Sequence, residues 1–381
     1  MLVSQSIFIY LIMPFSKKLS ILSVIIILPF WAVAQSSTNG SNANAIPTAV
    51  PFLTISPDSR SGAMGDAGVA LSPDVNANYW NPSKLAFLED KDVVSVSYSP
   101  WLANLVPDIS LSYISYAHKI DDRNSIGLSM RYFNIGTVDL TGDQGESLGT
   151  FTPAEFSFDG SFARKFGESF SLGLTARYIH SNLSNGSASS PTQGEGNAFA
   201  ADVSMYYKNP TQEFGNDALF AFGVDISNIG TKMSYSTSGP AQFLPTNLKI
   251  GIANTVNLDG ANKVTFALDL NKLLVPSNGD PSISVPQGIF QSFSDVSGSQ
   301  EFKEIYYSAG LEYWYNNAFV LRGGYYYESP TVGGRNYLTF GVGFKYQEFG
   351  FDFSYIAATQ QNSPLANTLR FTLSASFGGT R

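Results

Sequence analysis

The sequence predicts an all-β protein: a transmembrane antiparallel β-barrel of about fourteen strands, with a short N-terminal plug segment ahead of it. Three observations carry this expectation. Residues 366–377, ANTLRFTLSASF, set Leu369, Phe371, Leu373, Ala375 and Phe377 against Arg370, Thr372, Ser374 and Ser376. That period of two belongs to a strand, and about ten such residues, tilted, cross the hydrocarbon of a bilayer. The same alternation recurs from residue 92 onward, and the connections between the alternating segments are by turns long and short. Long outer loops, tight periplasmic turns and an even strand number mark outer-membrane barrels.

Composition narrows the function classes. Charged residues make up only 14% of the 381 and aromatics another 14%, a balance poor in charge and rich in rings. No run of about twenty apolar residues follows the first forty, which excludes a helical span in the mature chain. Cysteine is absent; disulfides, cysteine-ligated metals, thiol nucleophiles and a lipid-modified N-terminal cysteine are therefore excluded. Lys17 and Lys18 precede an apolar run ending in Ala32-Val33-Ala34, the pattern of a secretory signal peptide. Residues 1–34 are thus expected to be removed, with Met1 or Met13 as the start and Gln35 as the mature N-terminus; a retained membrane helix is the alternative. Without that segment 20 Lys and Arg stand against 30 Asp and Glu, a net charge of −10. Such acidity disfavours nucleic acid, which is held largely by phosphate neutralisation.

Residues 35–91 form a flexible N-terminus followed by the plug. The stretch 35–50 is rich in Ser, Asn, Ala and Thr and is expected to be flexible. From 51 to 91 the chain does not alternate. It carries SRSGAMGDAGVAL, in which Gly62, Ala63, Gly65, Ala67, Gly68 and Ala70 form a ribbon of small residues able to lie against other backbone. Asn81-Pro82 then signals a turn, with Pro82 at the first position of a short helix through Leu88. The segment is expected in the lumen or at its periplasmic mouth as a plug or hatch; a solvated leader is the alternative.

The barrel, 92–381, is read as strands near 92–98, 109–118, 124–134, 155–165, 169–180, 198–208, 217–229, 246–256, 261–270, 303–314, 317–328, 337–347, 349–359 and 366–377. Tight links include DDRN, KFGE, NLDGAN, YNN and YQEF; long ones cover 136–153, 181–197, 230–245 and 271–302. Tyr98, Trp101, Tyr306, Tyr307, Trp314 and Tyr325 to Tyr327 lie near strand ends and are expected in the interfacial girdles.

Few groups could converge for chemistry. His118 and His180 end strands of opposite direction and so lie at opposite rims, separated by a membrane thickness of about 30 Å. HExxH, G-x-S-x-G and P-loop patterns are absent from the sequence. The loop GDQGES offers Asp143 and Glu146 without an EF-hand pattern and reads as solvated. Arg131, Arg177, Lys263, Asp269, Arg322, Asp352 and Arg370 face inward, either lining a channel or, the favoured reading, pairing across a small lumen. The link LVPSNGDPSISVPQGIFQSFSDVSGSQ is read as long and without structure of its own, a kind of loop that is usually functional or disordered. Its Ile289, Phe290 and Phe293 need cover from a neighbouring loop, the plug or a partner. No catalytic residue, metal or cofactor is expected.

GAMGDAGVAL followed by NYWNPSKLAFL resembles the FadL-like family of fourteen-stranded outer-membrane proteins. Within that group PFLTISPDSRSGAMGDAGVALSPD and the SVPQGIFQSF loop resemble the PorV family of type IX secretion in the Bacteroidetes. This resemblance implies a shuttle rather than a pore. Such a protein docks on the large translocon barrel, binds the C-terminal signal domain of cargo and carries it to the surface attachment complex with its PorU-type sortase. It implies an outer-membrane location with loops at the cell surface, outer-membrane lipid around the wall, and a plug motif at Gly62, Gly65, Gly68, Asn81 and Pro82. Ile289, Phe290 and Phe293 are then the expected anchors, since interface energy concentrates in a few apolar residues. The competing reading is a FadL-like transporter of hydrophobic small molecules; a lipid-modifying enzyme is disfavoured by the separated histidines.

Overall fold

The computed structural model describes residues 45–378 apart from 103–105, 107, 143, 184–193, 236–238, 360–362 and 364. The expected signal peptide, its cleavage site and Asp143 lie outside the described residues.

The strands are β1 (Asp92–Pro100), β2 (Ser110–Lys119), β3 (Asn124–Asn134), β4 (Val138–Thr141), β5 (Ser147–Phe151), β6 (Ala154–Lys165), β7 (Phe170–Asn182) and β8 (Glu195–Glu213). They continue with β9 (Asn216–Gly230), β10 (Asn247–Asn257), β11 (Asn262–Leu273), β12 (Ile305–Tyr315), β13 (Phe319–Tyr327), β14 (Asn336–Tyr346), β15 (Phe349–Ala358) and β16 (Leu369–Phe377). All but β4 and β5 form one closed barrel of fourteen, in the order β1-β16-β15-β14-β13-β12-β11-β10-β9-β8-β7-β6-β3-β2. Closure comes from β16 pairing antiparallel with β1, Asp92 opposite Phe377 and Tyr98 opposite Phe371. No edge is left unpaired, which is what a sheet needs in a solvent without hydrogen bonds. Along β7, Leu172 and Leu174 are exposed outward while Ser171, Thr175 and Arg177 are buried; polar side chains are inside and apolar ones outside.

The tight turns follow from local chemistry. Asp121 Oδ1 accepts the backbone N–H groups of Arg123 at 2.7 Å and Asn124 at 2.8 Å. Asp259 Oδ1 does the same for Ala261 and Asn262, both at 2.8 Å. A short acidic side chain thereby closes each turn in place of a further backbone bond. Phe214 and Gly215, with φ of 51° and 80°, make the two-residue turn between β8 and β9 that suits the twist of a hairpin.

Three expectations are corrected. First, β8 runs well past the expected 198–208, from Glu195 to Glu213, whereas β9 exceeds 217–229 by one residue at each end. The β8 extension, Asn209 to Glu213, stands beyond the wall, where both faces meet water and no alternation marks the strand. The same reason hid the separate two-stranded sheet of β4 and β5. Second, the 274–304 link is not structureless: it holds the helices Val285–Gln291, with a proline in its first turn, and Gly298–Lys303. Third, Trp101, Tyr306 and Tyr326 do not sit in a girdle. They are buried with Ile109, Val332, Tyr337, Ile356 and Leu365 in one apolar cluster, and Trp314 lies beneath the inward cations Lys263 and Arg322, 5.4 and 5.7 Å from its ring. Parity explains this. Consecutive residues point to opposite faces, so of Tyr325 to Tyr327 the middle one must turn inward.

Candidate functional site

The lumen is filled by the chain between Pro51 and Leu88. It forms the single turns Pro51–Thr54, Ser59–Gly62 and Ala77–Trp80 and the 3-10 stretch Pro82–Phe87, and nearly all of it is buried. Close backbone approach is made possible by glycine on both partners. Gly65 has φ +69°, and a Cβ there would come within 2.6 Å of the backbone N and O of Tyr325 on β13. Facing it, Gly324 and Gly310 leave no room for side chains against Met64 and Gly65, and Gly341 admits Ala63. Gly62 lies on the Arg370 guanidinium and Gly68 on the Trp80 ring. Asn81 holds the second half: its amide donates to the carbonyls of Val69 at 3.0 Å and Met205 at 2.9 Å, while its oxygen accepts from the Ser83 N–H and hydroxyl. Pro82 starts the 3-10 stretch, as expected from its fixed φ.

Charges tie this segment to the wall. Arg60 donates to Glu312 at 3.1 Å and to Asp74 at 2.8 Å, and Arg322 meets the same Glu312 at 2.7 Å. Arg370 reaches Asp66 at 3.1 Å, and Asp269 accepts the N–H groups of Gly68 and Val69 at 2.7 and 2.9 Å. Asp58 accepts from Trp80 Nε1 at 2.6 Å and Lys84 Nζ donates to the Gly68 carbonyl at 2.6 Å. On the wall itself Arg177 bridges Asp159 at 2.5 Å and Asp202 at 2.8 Å, with Arg131 at 3.5 Å from Asp159. Asp352 pairs with Arg322 at 2.5 Å. Of the inward charges expected to pair, Arg131, Arg177, Arg322, Asp352 and Arg370 form ion pairs and Asp269 accepts backbone N–H groups, the arrangement that buried ions require; Lys263 instead lies over the Trp314 ring.

At the long-loop end, the link between β11 and β12 presents a different surface. Gly288 packs on Phe243 and Pro276, and Lys232 donates to the carbonyls of Pro281, at 2.8 Å, and Ile283 while lying over the Phe243 ring. Ile46, Phe243 and Val275 form the core beneath, with Ile283 and Val285 against it. Ile289 is half-buried, whereas Phe290 is 77% and Phe293 51% exposed. Phe302, on the second helix and not anticipated, is 71% exposed. Beside them Asp295, Glu301 and Glu304 gather within 4.8 Å, but Lys272 Nζ already supplies a cation at 2.9 Å from Glu301 and 2.6 Å from Glu304. In the same loop the Asp280 carboxyl is held below its ordinary range by the Ser282 hydroxyl and N–H.

The histidines stay apart. His118 contacts Asp92 at the short-turn end and His180 contacts Asn197 at the long-loop end, at 2.7 and 2.9 Å. Glu146 accepts the N–H of Gln144 at 3.1 Å, on an exposed loop. Ser72 and Asp74 are among the lumenal residues that sequence reasoning missed. They complete the Arg60 site, and neither lies in an alternating segment.

No curated protein matches the chain in sequence. Among solved structures, the toluene transporter TodX of Pseudomonas putida superposes with a TM-score of 0.53 at 10% identity, covering 85% of this chain and 99% of that one. A Pseudomonas aeruginosa FadL homologue superposes at 0.41 with 13% identity, covering 88% and 99%. Such likenesses concern fold, and the fold is FadL-like. The family model described as type IX secretion system protein PorV matches residues 38–280, a span that includes the whole lumenal segment and ends inside the loop between β11 and β12, before the helix carrying Phe290. Family and fold are those of a secretion and transport barrel of the outer membrane, not of an enzyme class. On more than half of its length, this chain belongs to the PorV family of type IX secretion.

Proposed function

We propose that the chain is an outer-membrane shuttle of type IX secretion, which binds the C-terminal signal domain of cargo at the translocon barrel and delivers it to the sortase-containing attachment complex. The observation that carries this reading, beyond family membership, is the exposure of Phe290 on a loop helix whose Val285 packs against the core beneath, and of Phe293 in the turn just after that helix. Two bulky rings in water are what a protein interface uses as anchors. Ile289, half-buried, offers less of its side chain to a partner than the two rings do. Domain roles follow: a signal peptide at 1–34, a leader and plug at 35–91, and a barrel with its long loops at the cell surface; the leader is not flexible throughout, since Ile46, Ala49 and Val50 are buried.

The state of the lumen supports a shuttle over a transporter of hydrophobic small molecules. Paired charges and backbone fill it. The register shift at Ala201/Val203, where β8 and β9 lose step, is stitched rather than open: Asp202 accepts the Asn228 N–H at 2.7 Å and is held by Arg177. The test is the pair Phe290→Asp and Phe293→Asp in the full chain. The expected outcome is loss of co-purifying cargo and translocon, and loss of cargo from the cell surface, with the heat-dependent gel mobility of the folded barrel retained. Unchanged pull-down and secretion would overturn the anchor assignment.

A further inference from the structure

The outward face of β16 reads Leu369, Phe371, Leu373, Ala375, Phe377, and Ala375 is its one small side chain. Across the sheet Ala375 pairs with Phe349 on β15 and Val94 on β1. In the adjoining row Leu373 lies between Phe351 and Val96. A short side chain among large ones leaves a hollow on the outside of the wall at the closing seam. Its volume is about 410 Å³, and its lining includes Val94, Val96, Phe349, Phe351, Leu373 and Ala375.

One polar group stands at its lower end. Asp92, two residues and about 7 Å from Val94 along the strand, shares the outward parity. Its Oδ1 accepts the Tyr116 hydroxyl at 2.6 Å and meets His118 Nδ1 at 2.7 Å. A carboxylate on the outer face is tolerated only near the rim, and this one ends the strand at the tight turns. An apolar hollow with an anionic mouth, set at headgroup depth, matches an acyl chain whose headgroup bears an ammonium.

We propose that this hollow is a binding site for one amine-headed glycerophospholipid, its chain over Ala375 and its ammonium at Asp92. The proposal rests on the barrel standing in a bilayer and not on the shuttle role, so either can fail without the other. The experiment is native mass spectrometry of the full chain in mild detergent, offered phosphatidylethanolamine and phosphatidylglycerol of identical chains. The wild type is expected to retain one phosphatidylethanolamine in preference to phosphatidylglycerol. Ala375→Phe, which fills the hollow, should lower retention about tenfold, the worth of roughly two buried methylenes. Asp92→Asn should keep a lipid and lose the headgroup preference. Leu174→Phe, outward on the distant strand β7, should change nothing. If Ala375→Phe fails to fold, Val94→Phe fills the hollow from the other side. Retention unchanged in the filled variants, equal loss in Leu174→Phe, or a photoreactive residue at 375 that captures a polypeptide in place of lipid would overturn the assignment.

Discussion

Arg177 shows what a single buried side chain does in this wall. Its guanidinium is shared by Asp159 and Asp202 and also reaches Asn228, so two carboxylates in the lumen depend on one cation. Arg177→Ala would leave both without a full partner, and removing one member of a buried pair costs about 3–5 kcal/mol. The expected result is a lower urea midpoint for loss of the heat-modifiable folded band. Asp159→Asn combined with Asp202→Asn should recover part of that loss, because fewer buried charges are then stranded. The inward position of Arg177 was legible from the alternation of β7; its partners on β6 and β8 were not, because side-chain reach across strands depends on register.

At the level of elements, the lumenal segment and the wall are matched by glycine. Gly65 and Gly324 meet backbone to backbone, and the wall glycines Gly310 and Gly341 continue the contact. Gly324→Val is expected to leave the barrel closed, since the position lies within a paired strand, while displacing the 62–68 ribbon. Limited proteolysis at Arg60, buried in the wild type, would report it: rapid cleavage in the variant and protection in the parent. A protected Arg60 in Gly324→Val would mean that the contact is dispensable. The ribbon of small residues was visible in sequence as a candidate for close approach. Which wall residues would be glycine to receive it was not, because inward glycines also read as ordinary small lumen residues.

At the level of the whole molecule, the described residues combine a closed wall with a charged filling. The barrel is therefore expected to pass no steady current in a planar bilayer, and deletion of residues 51–88 to open it if the emptied barrel still assembles. A conducting wild type would contradict the packing of Asp58, Arg60, Trp80 and Lys84 across the lumen.

Strand number, strand order and the alternation of long and short connections were written in one dimension, because a bilayer demands a period of two and an antiparallel meander demands nothing beyond neighbours in sequence. The exceptions occurred where both faces of a segment meet water, as in β4, β5 and the tip of β8, and there the solvent imposes no pattern. Meetings between distant residues needed the closed structure. Arg60 with Glu312, Asp66 with Arg370, and Ala375 between Phe349 and Val94 are set by how the strands stagger around the barrel and by how the 51–88 segment threads it. Only closure brings β16 against β1, and only the folded loop separates a half-buried Ile289 from an exposed Phe290.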